Sequence, residues 1–443
     1  MSNDVARHFS LGRSRCSLVG GLRLAAAGAR SARGASKLPR SEPRNQPSPP
    51  WNQTRVAAKL GIAYPIVQGA MGGVPTQRLT ATVSNGGGLG SFGAHGWSPS
   101  AIKDVIAEIR SLTSKPFAIN LWVSMEDAGA RTSGSAAFAR SLAPLAGHIQ
   151  ALGGTLPRYE PYVPVKFEDQ ARVVIDAKVP VLSFIYGIPP KEILDACRAQ
   201  NIVTIGTATT PDEAIALEQA GVDVIAASGF EAGGHRGSFL RPAEESLMGT
   251  FALVPQVADA VSVPVVAAGG IADARGMVAA LALGAEGVQI GTAFLATEQS
   301  GASARHRGAI LSGGARQTGL TKGLSGRLAR GIHNRLLEEL NRPGVEILPY
   351  PLQRVPVRSL ALAAEKAGKT ELLPMWAGQS ASLARHNDAT VLLQTLIAEV
   401  EAIAGPVLEW NRAHRTMPGN AGQGRAMTSN DVVVERTKPW DRR

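Results

Sequence analysis

The chain has 443 residues, of which 44% are hydrophobic and 18% charged, a composition that excludes fibrous and wholly disordered proteins. Its two cysteines, Cys16 and Cys197, lie far apart in sequence and exclude both a disulfide framework and a cysteine-based zinc site. The net charge of +11 is unevenly distributed, because residues 1–50 carry nine basic and two acidic side chains, a net +7. The rest of the chain is therefore close to neutral, and no nucleic-acid partner is expected.

The basic residues near the N-terminus belong to a segment that cannot form a core. Residues 1–55 are rich in Arg, Ser and Ala and include a proline-rich stretch at 41–50, so we expect a disordered extension. Its composition suits either an organelle transit peptide or translation from a start codon placed too far upstream. We therefore expect a cytoplasmic protein, or an organellar one if the extension is a transit peptide. The apolar run at 18–29 is too short to span a bilayer, and no membrane partner is expected.

From residue 60 onward, short β-branched runs alternate with helical patterns. This alternation is typical of βα units and a parallel sheet. Helix start signals occur at Ser98-Pro99, Pro189-Pro190 and Thr210-Pro211. Eight runs predict strands: 62–68, 88–93, 117–123, 179–187, 202–208, 222–229, 264–271 and 287–295. Eight strands with interleaved helices predict an α/β fold, the TIM (β/α)8 barrel, in which ligands bind at the C-terminal ends of the strands.

Two further regions complete the predicted organisation. Residues 56–300 form the predicted barrel, with an insertion at 124–165 that shows no strong period. After residue 295 no strand is predicted. Helical patterns at 324–340, 355–367 and 390–403 predict a C-terminal helical subdomain over residues 301–417 that closes on the barrel. Residues 418–443 are predicted to be a polar tail.

Glycine-rich turns follow the last two predicted barrel strands. Gly269 and Gly270 lie between an apolar strand and a helix, and Gly291 and Thr292 follow the next strand. Such turns can simply reverse the chain. Two of them at adjacent late strand ends favour a phosphate site, because glycine N–H groups approach phosphate oxygens without steric hindrance.

A histidine flanked by glycines lies in the long loop after the sixth predicted strand. The segment is Glu231-Ala-Gly-Gly-His-Arg-Gly237. Its glycines allow close approach to a ligand, and Glu231 and Arg236 supply charges able to tune the imidazole. An imidazole near its ordinary pKa can take a proton from carbon at neutral pH, so His235 is the candidate base, although a structural histidine is nearly as well supported by these residues alone.

Several of these stretches together resemble the nitronate monooxygenases, formerly called 2-nitropropane dioxygenases, which are FMN-containing TIM-barrel enzymes. The resemblance runs from about residue 57 to 379. It depends on the motifs Gln68-Gly-Ala-Met-Gly-Gly-Val74, Asn85-Gly-Gly-Gly-Leu-Gly90, Asn120, Glu231-Ala-Gly-Gly-His-Arg-Gly237, Ala268-Gly-Gly-Ile271, Gln289-Ile-Gly-Thr-Ala-Phe294 and Ser325-Gly-Arg-Leu-Ala-Arg330. One departure is Ser228, where many members carry a glutamine.

The resemblance implies FMN as cofactor and assigns its contacts residue by residue. Ala70, Met71 and Asn120 would contact the isoalloxazine, and Gly72 would be a further cofactor contact. The residues that contact the phosphate side of FMN would be Gly233, Gly234, Gly269, Gly270, Gly291 and Thr292. Gln379, in the C-terminal segment, would be a further cofactor contact. His235 would act on the substrate, and no metal is implied.

The activity implied is oxidation of an alkyl nitronate, or its parent nitroalkane, by dioxygen to a carbonyl compound and nitrite. A homodimer is a further expectation. The alternative on the same fold is an NAD(P)H-dependent FMN reductase of the quinone or enoyl-ACP type, and Arg236 after His235 favours the monooxygenase mildly. A flavin-free barrel that serves only as a binding scaffold is the alternative from another class.

Overall fold

The computed structural model describes residues 50–404. Within that range the strands are β1 Ile66–Gln68, β2 Gly90–Gly93, β3 Phe117–Trp122, β4 Val181–Ile185, β5 Val203–Ala208, β6 Val224–Ser228, β7 Gly234–His235, β8 Val265–Ala268, β9 Gly287–Ile290, β10 Thr318–Thr321 and β11 Ala329–Ile332. The helices are α1 Arg55–Leu60, α2 Gln77–Asn85, α3 Pro99–Leu112, α4 Ser135–Ala151, α5 Phe167–Asp176, α6 Lys191–Ala199, α7 Pro211–Gln219, α8 Thr250–Ala260, α9 Ala274–Ala282, α10 Thr292–Leu295, α11 Ala304–Leu311, α12 Arg335–Leu340, α13 Arg354–Ala367 and α14 Ala389–Ile403.

Eight parallel strands form a barrel. They are hydrogen-bonded in the order β1-β9-β8-β6-β5-β4-β3-β2, and a parallel bridge between Val67 and Leu89 joins the two ends of the sheet. All eight predicted barrel strands are present, each shorter than its predicted run. The predicted TIM barrel is thus confirmed.

Start signals in the sequence determine where several barrel helices begin. Ser98 accepts a hydrogen bond from the N–H of Ala101 at the start of α3, and Thr210 does the same for Glu213 at the start of α7. Apolar side chains on the inner helix faces then pack against the strands. The last helix, α14, packs against α9 and α2, and so occupies the place of the eighth barrel helix.

Helix α1 closes the end of the barrel at which the strands begin. Val56 and Leu60 of α1 pack into the barrel interior with Val67, Val181 and other strand residues. Residues 50–55, which we assigned to the extension, belong to the folded unit, because Trp51 is buried and stacks on Tyr64 with ring centroids 5.8 Å apart. The rest of the predicted extension and the predicted polar tail lie outside the described residues.

The predicted helix over 324–340 is wrong in its first half. Residues 329–332 form β11, which pairs with β10 on one side and with β7 on the other in an antiparallel sheet. The expectation of no strands after residue 295 is therefore also wrong. Leucine and isoleucine at every fourth position from Leu324 to Leu340 imitate a helical period, but Gly326 has φ of +100° and breaks any helix there.

Two observations complete the fold outside the barrel. The insertion at 124–165 contains the helix α4, which the sequence did not predict and which packs against α13. No helix within residues 50–404 is long and apolar enough to cross a membrane.

Candidate active site

A cavity opens at the C-terminal ends of the barrel strands. It is lined by eleven of the predicted site residues: Ala70, Met71, Gly72, Asn120, Gly233, Gly234, His235, Gly269, Gly270, Gly291 and Thr292. Gln379 is not among the lining residues, and its side chain is exposed. The barrel topology thus brings together residues that are separated by more than two hundred positions in sequence.

Glycines shape one side of this cavity. Gly269 and Gly270 have φ of +95° and +73°, a left-handed conformation that disfavours residues with a side chain. A Cβ atom on Gly291 or Gly234 would meet no atom within 4 Å. The cavity therefore extends directly over the backbone of these two residues.

The C-terminal segment 376–381 covers the same side. The backbone N–H of Gly378 donates to Thr292 Oγ1 at 2.9 Å, and Ser380 Oγ donates to the carbonyl of Gly270 at 2.5 Å. These bonds leave the Thr292 hydroxyl proton free to donate to a ligand.

His235 also lines the cavity and is fixed by β7 and by a hydroxyl group. Its strand pairs with β11, which places Nε2 at 2.8 Å from Ser325 Oγ. Ser325 Oγ also lies 3.2 Å from the carbonyl of Arg327. Burial, together with the neighbouring His95 and the positive charges of Arg354 and Arg327, holds the pKa of His235 well below its ordinary value. The imidazole is therefore neutral at neutral pH.

The charged neighbours of His235 in sequence hold its loop in place. The Glu231 carboxylate accepts hydrogen bonds at 2.8 Å from the N–H and the hydroxyl of Thr250, at the start of α8. Arg236 is buried and donates to the carbonyls of Thr209, Ser228 and Ser246. Neither charge is a cause of the shifted pKa of His235, so the expectation that they tune the imidazole is wrong.

Aromatic rings surround His235. Trp122 contacts the imidazole edge to face with centroids 5.0 Å apart, and Trp376 lies at 5.2 Å. Neither tryptophan was predicted as a site residue from the sequence, and nor was His95, which stacks on Trp122 at 3.9 Å. Trp122 is the last residue of β3 and His95 follows β2, at the same barrel end as the glycine turns, and that position was the available signal.

Arg327 connects the insertion at 124–165 to aromatic residues close to His235. The Arg327 guanidinium lies between the rings of Tyr186 and Tyr350, 4.1 and 4.6 Å from their centroids. It forms an ion pair of 2.7 Å with Asp127 and donates to the backbone of Ser124. The insertion thereby supports the side of the cavity that carries His235.

Comparison with known proteins agrees with this architecture. Residues 53–399 match the family model described as nitronate monooxygenase. A probable nitronate monooxygenase of Staphylococcus aureus (strain Newman) is 42% identical over 358 residues, which are 80% of this chain and 99% of that protein.

Two solved structures are also similar. A nitroalkane oxidase from Streptomyces ansochromogenes has 36% identity and a TM-score of 0.71, covering 79% of this chain and 98% of that one. FabK from Thermotoga maritima has 28% identity and a TM-score of 0.62, covering 82% and 99%. The family match spans most of the barrel and includes every strand that lines the cavity, and the chain belongs to the nitronate monooxygenase family.

Proposed function

We propose that this protein is an FMN-dependent enzyme that oxidises alkyl nitronates and nitroalkanes with dioxygen, giving a carbonyl compound and nitrite. The observation that carries the proposal is His235, a neutral imidazole fixed by Ser325 in a cavity that the glycine turns after β8 and β9 also line. Membership of the nitronate monooxygenase family supports it, as does similarity to a protein named nitroalkane oxidase.

The glycine side of the cavity fits the cofactor. A Cβ on Gly291 or Gly234 would project into free space, which is where a bound group needs room. Gly269, Gly270, Gly291 and Thr292 would hold the phosphate through backbone N–H groups and the Thr292 hydroxyl. Near the barrel centre, Ala70, Met71, Gly72 and Asn120 would contact the ring system, next to Gly233 and Gly234.

FMN, when bound, supplies the transfer of electrons from the substrate to dioxygen. The protein supplies position and the handling of one proton. With Nε2 hydrogen-bonded to Ser325, His235 has Nδ1 to accept a proton, since Nδ1 has no partner among residues 50–404. His235 has an unprotonated nitrogen at neutral pH that can take the α-proton of a nitroalkane, and its lowered pKa makes it a weaker base than an ordinary imidazole. A nitronate has already lost that proton.

A reductase is the second candidate, supported by 28% identity to FabK over nearly its whole length. Arg236, which favoured the monooxygenase at the sequence level, does not line the cavity and therefore does not separate the two. The substrates separate them, because a reductase must consume NADH or NADPH.

The test is made on the purified full-length protein. Denaturation should release FMN, identified by its absorbance and mass, in an amount close to the protein concentration. Oxygen uptake with propyl-1-nitronate should be accompanied by nitrite formation, with no requirement for NADH. Oxidation of NADH by a quinone or an enoyl thioester, without oxygen uptake on nitronates, would replace the proposal with the reductase.

A further inference from the structure

His95 is a second histidine in the cavity, and the proposed reaction has not yet used it. It follows β2, lines the cavity and is 9% exposed. Its ring stacks on Trp122 with a centroid distance of 3.9 Å and an interplanar angle of 11°. Trp122 also contacts His235, so the two imidazoles lie on the same indole ring.

The loop that carries His95 is fixed from outside the barrel. Gln170 of α5 is completely buried, and its side-chain amide donates to the carbonyls of Ala94 and Trp97, at 3.3 and 2.8 Å. On the cavity side, a Cβ on Gly72 would lie 1.8 Å from Cε1 of His95. Glycine at position 72 is therefore required for the imidazole to occupy this place.

The nitrogen atoms of His95 are not explained by its packing. Nδ1 is buried and has no hydrogen-bond partner among residues 50–404. A buried polar atom without a partner is destabilising, and stacking on Trp122 would be served equally well by a phenyl ring. Burial, with the charges of Arg354 and Arg327, lowers the pKa of His95 to about 3, so the ring is neutral. A neutral imidazole offers one N–H donor to a ligand.

We propose that His95 is a second substrate-binding residue, whose ring donates a hydrogen bond to an oxygen of the nitronate while the α-carbon lies at His235. The inference rests on the proposed function and extends it. Both rings contact Trp122, and both line the same cavity. Arg327 and Arg354 make the potential there positive, which favours an anionic substrate and disfavours protonation of both histidines.

The decisive variant is His95→Phe, which keeps an aromatic ring on Trp122 and removes both nitrogens. Loss of one hydrogen bond to an anion should raise the KM for propyl-1-nitronate about 10- to 100-fold. The FMN content and flavin absorbance should match the wild type, and kcat should change far less than KM. His95→Asn keeps an amide near the position of Nδ1 and should recover part of the lost affinity.

The outcomes separate this inference from the proposed function. A wild-type protein that consumes oxygen with nitronates, together with an unchanged KM in His95→Phe, overturns the role of His95 alone. If the KM for propyl-1-nitronate is the same in His95→Asn and in a folded His95→Phe, a side-chain nitrogen at position 95 does not contribute to substrate binding, and the inference is wrong. If His95→Phe instead alters the flavin spectrum at unchanged KM, the ring serves the cofactor and the inference is wrong. A wild type inactive on nitronates overturns both proposals.

Discussion

The two sides of the cavity are built from different parts of the polypeptide. The side at β8 and β9 is lined by Gly269, Gly270 and Gly291, which have no side chains. The side at β2 and β3 is built of large rings, with His95 on one face of Trp122 and His235 at its edge. Only the second side carries groups that can exchange a proton.

The difference suggests a division of labour between binding and chemistry. Backbone N–H groups recognise a phosphate whatever is attached to it, and side chains cannot intrude where glycine is required. The aromatic side has large rings, the nearby Arg327 and Arg354, and two neutral imidazoles, and we propose that it binds the substrate and acts on it. Changes on the glycine side should therefore affect cofactor content, and changes on the aromatic side should affect turnover.

The largest expected effect is on the aromatic side. His235→Asn removes the proposed base, which typically contributes about 100- to 10,000-fold, so the barrier for a nitroalkane should rise by about 3–5 kcal/mol. The matched nitronate needs no base and should lose far less. Oxygen uptake on nitroethane and ethyl nitronate, for both proteins, gives the four rates needed. Similar losses on both substrates would show that His235 binds or orients the substrate without acting as a base.

On the glycine side, Gly291→Asp should separate cofactor binding from folding. The backbone of Gly291 has φ of −101°, which any residue adopts, and an added Cβ meets no atom within 4 Å. A carboxylate beside the phosphate should weaken FMN binding at least roughly 100-fold. The measurement is FMN released per protein, together with the thermal unfolding midpoint after FMN removal.

The matched control for that variant is Gly308→Asp. Gly308 is exposed in α11, and a Cβ there also meets no atom within 4 Å. It adds the same charge away from the cavity and should leave FMN content unchanged. A fully loaded Gly291→Asp protein would place the phosphate elsewhere.

The glycine side was predictable from sequence and the aromatic side largely was not. Glycine turns after two consecutive apolar strands favour a phosphate site for a local reason, the absence of side chains, which is visible in the sequence. Gly269, Gly270, Gly291 and Thr292 do line the cavity. Trp122 and His95 instead resemble core residues near strand ends. Their role depends on contacts between β2, β3 and the loop of His235, which no local pattern encodes.

The same limit explains the error at 324–340. A helical period of leucines was a reasonable local signal, but pairing of β11 with the two residues of β7 decided the structure. That pairing also places Ser325 against His235. The segment needed to orient the proposed base was therefore the one that local reasoning assigned to the wrong element.

The smallest effect concerns stability at acidic pH and tests whether the aromatic side excludes water. The pKa of His95 is lowered to about 3, so between its ordinary value and pH 3 the unfolded chain binds a proton that the folded protein refuses. The contribution of the neutral His95 to the free energy of unfolding is fully present above the ordinary pKa of histidine and is lost as the pH falls toward 3. From pH 7.5 to 5, His95 should account for about 2 kcal/mol of lost stability. Urea unfolding of the FMN-loaded wild type and His95→Phe at both pH values measures this difference. His306, whose pKa is also lowered, acts equally in both proteins, whereas the loss of His95 also reduces the downward shift of the pKa of His235 and so adds to the difference. An equal loss of stability in the two proteins would mean that water or a proton reaches His95 in the folded state. The aromatic side would then not exclude water.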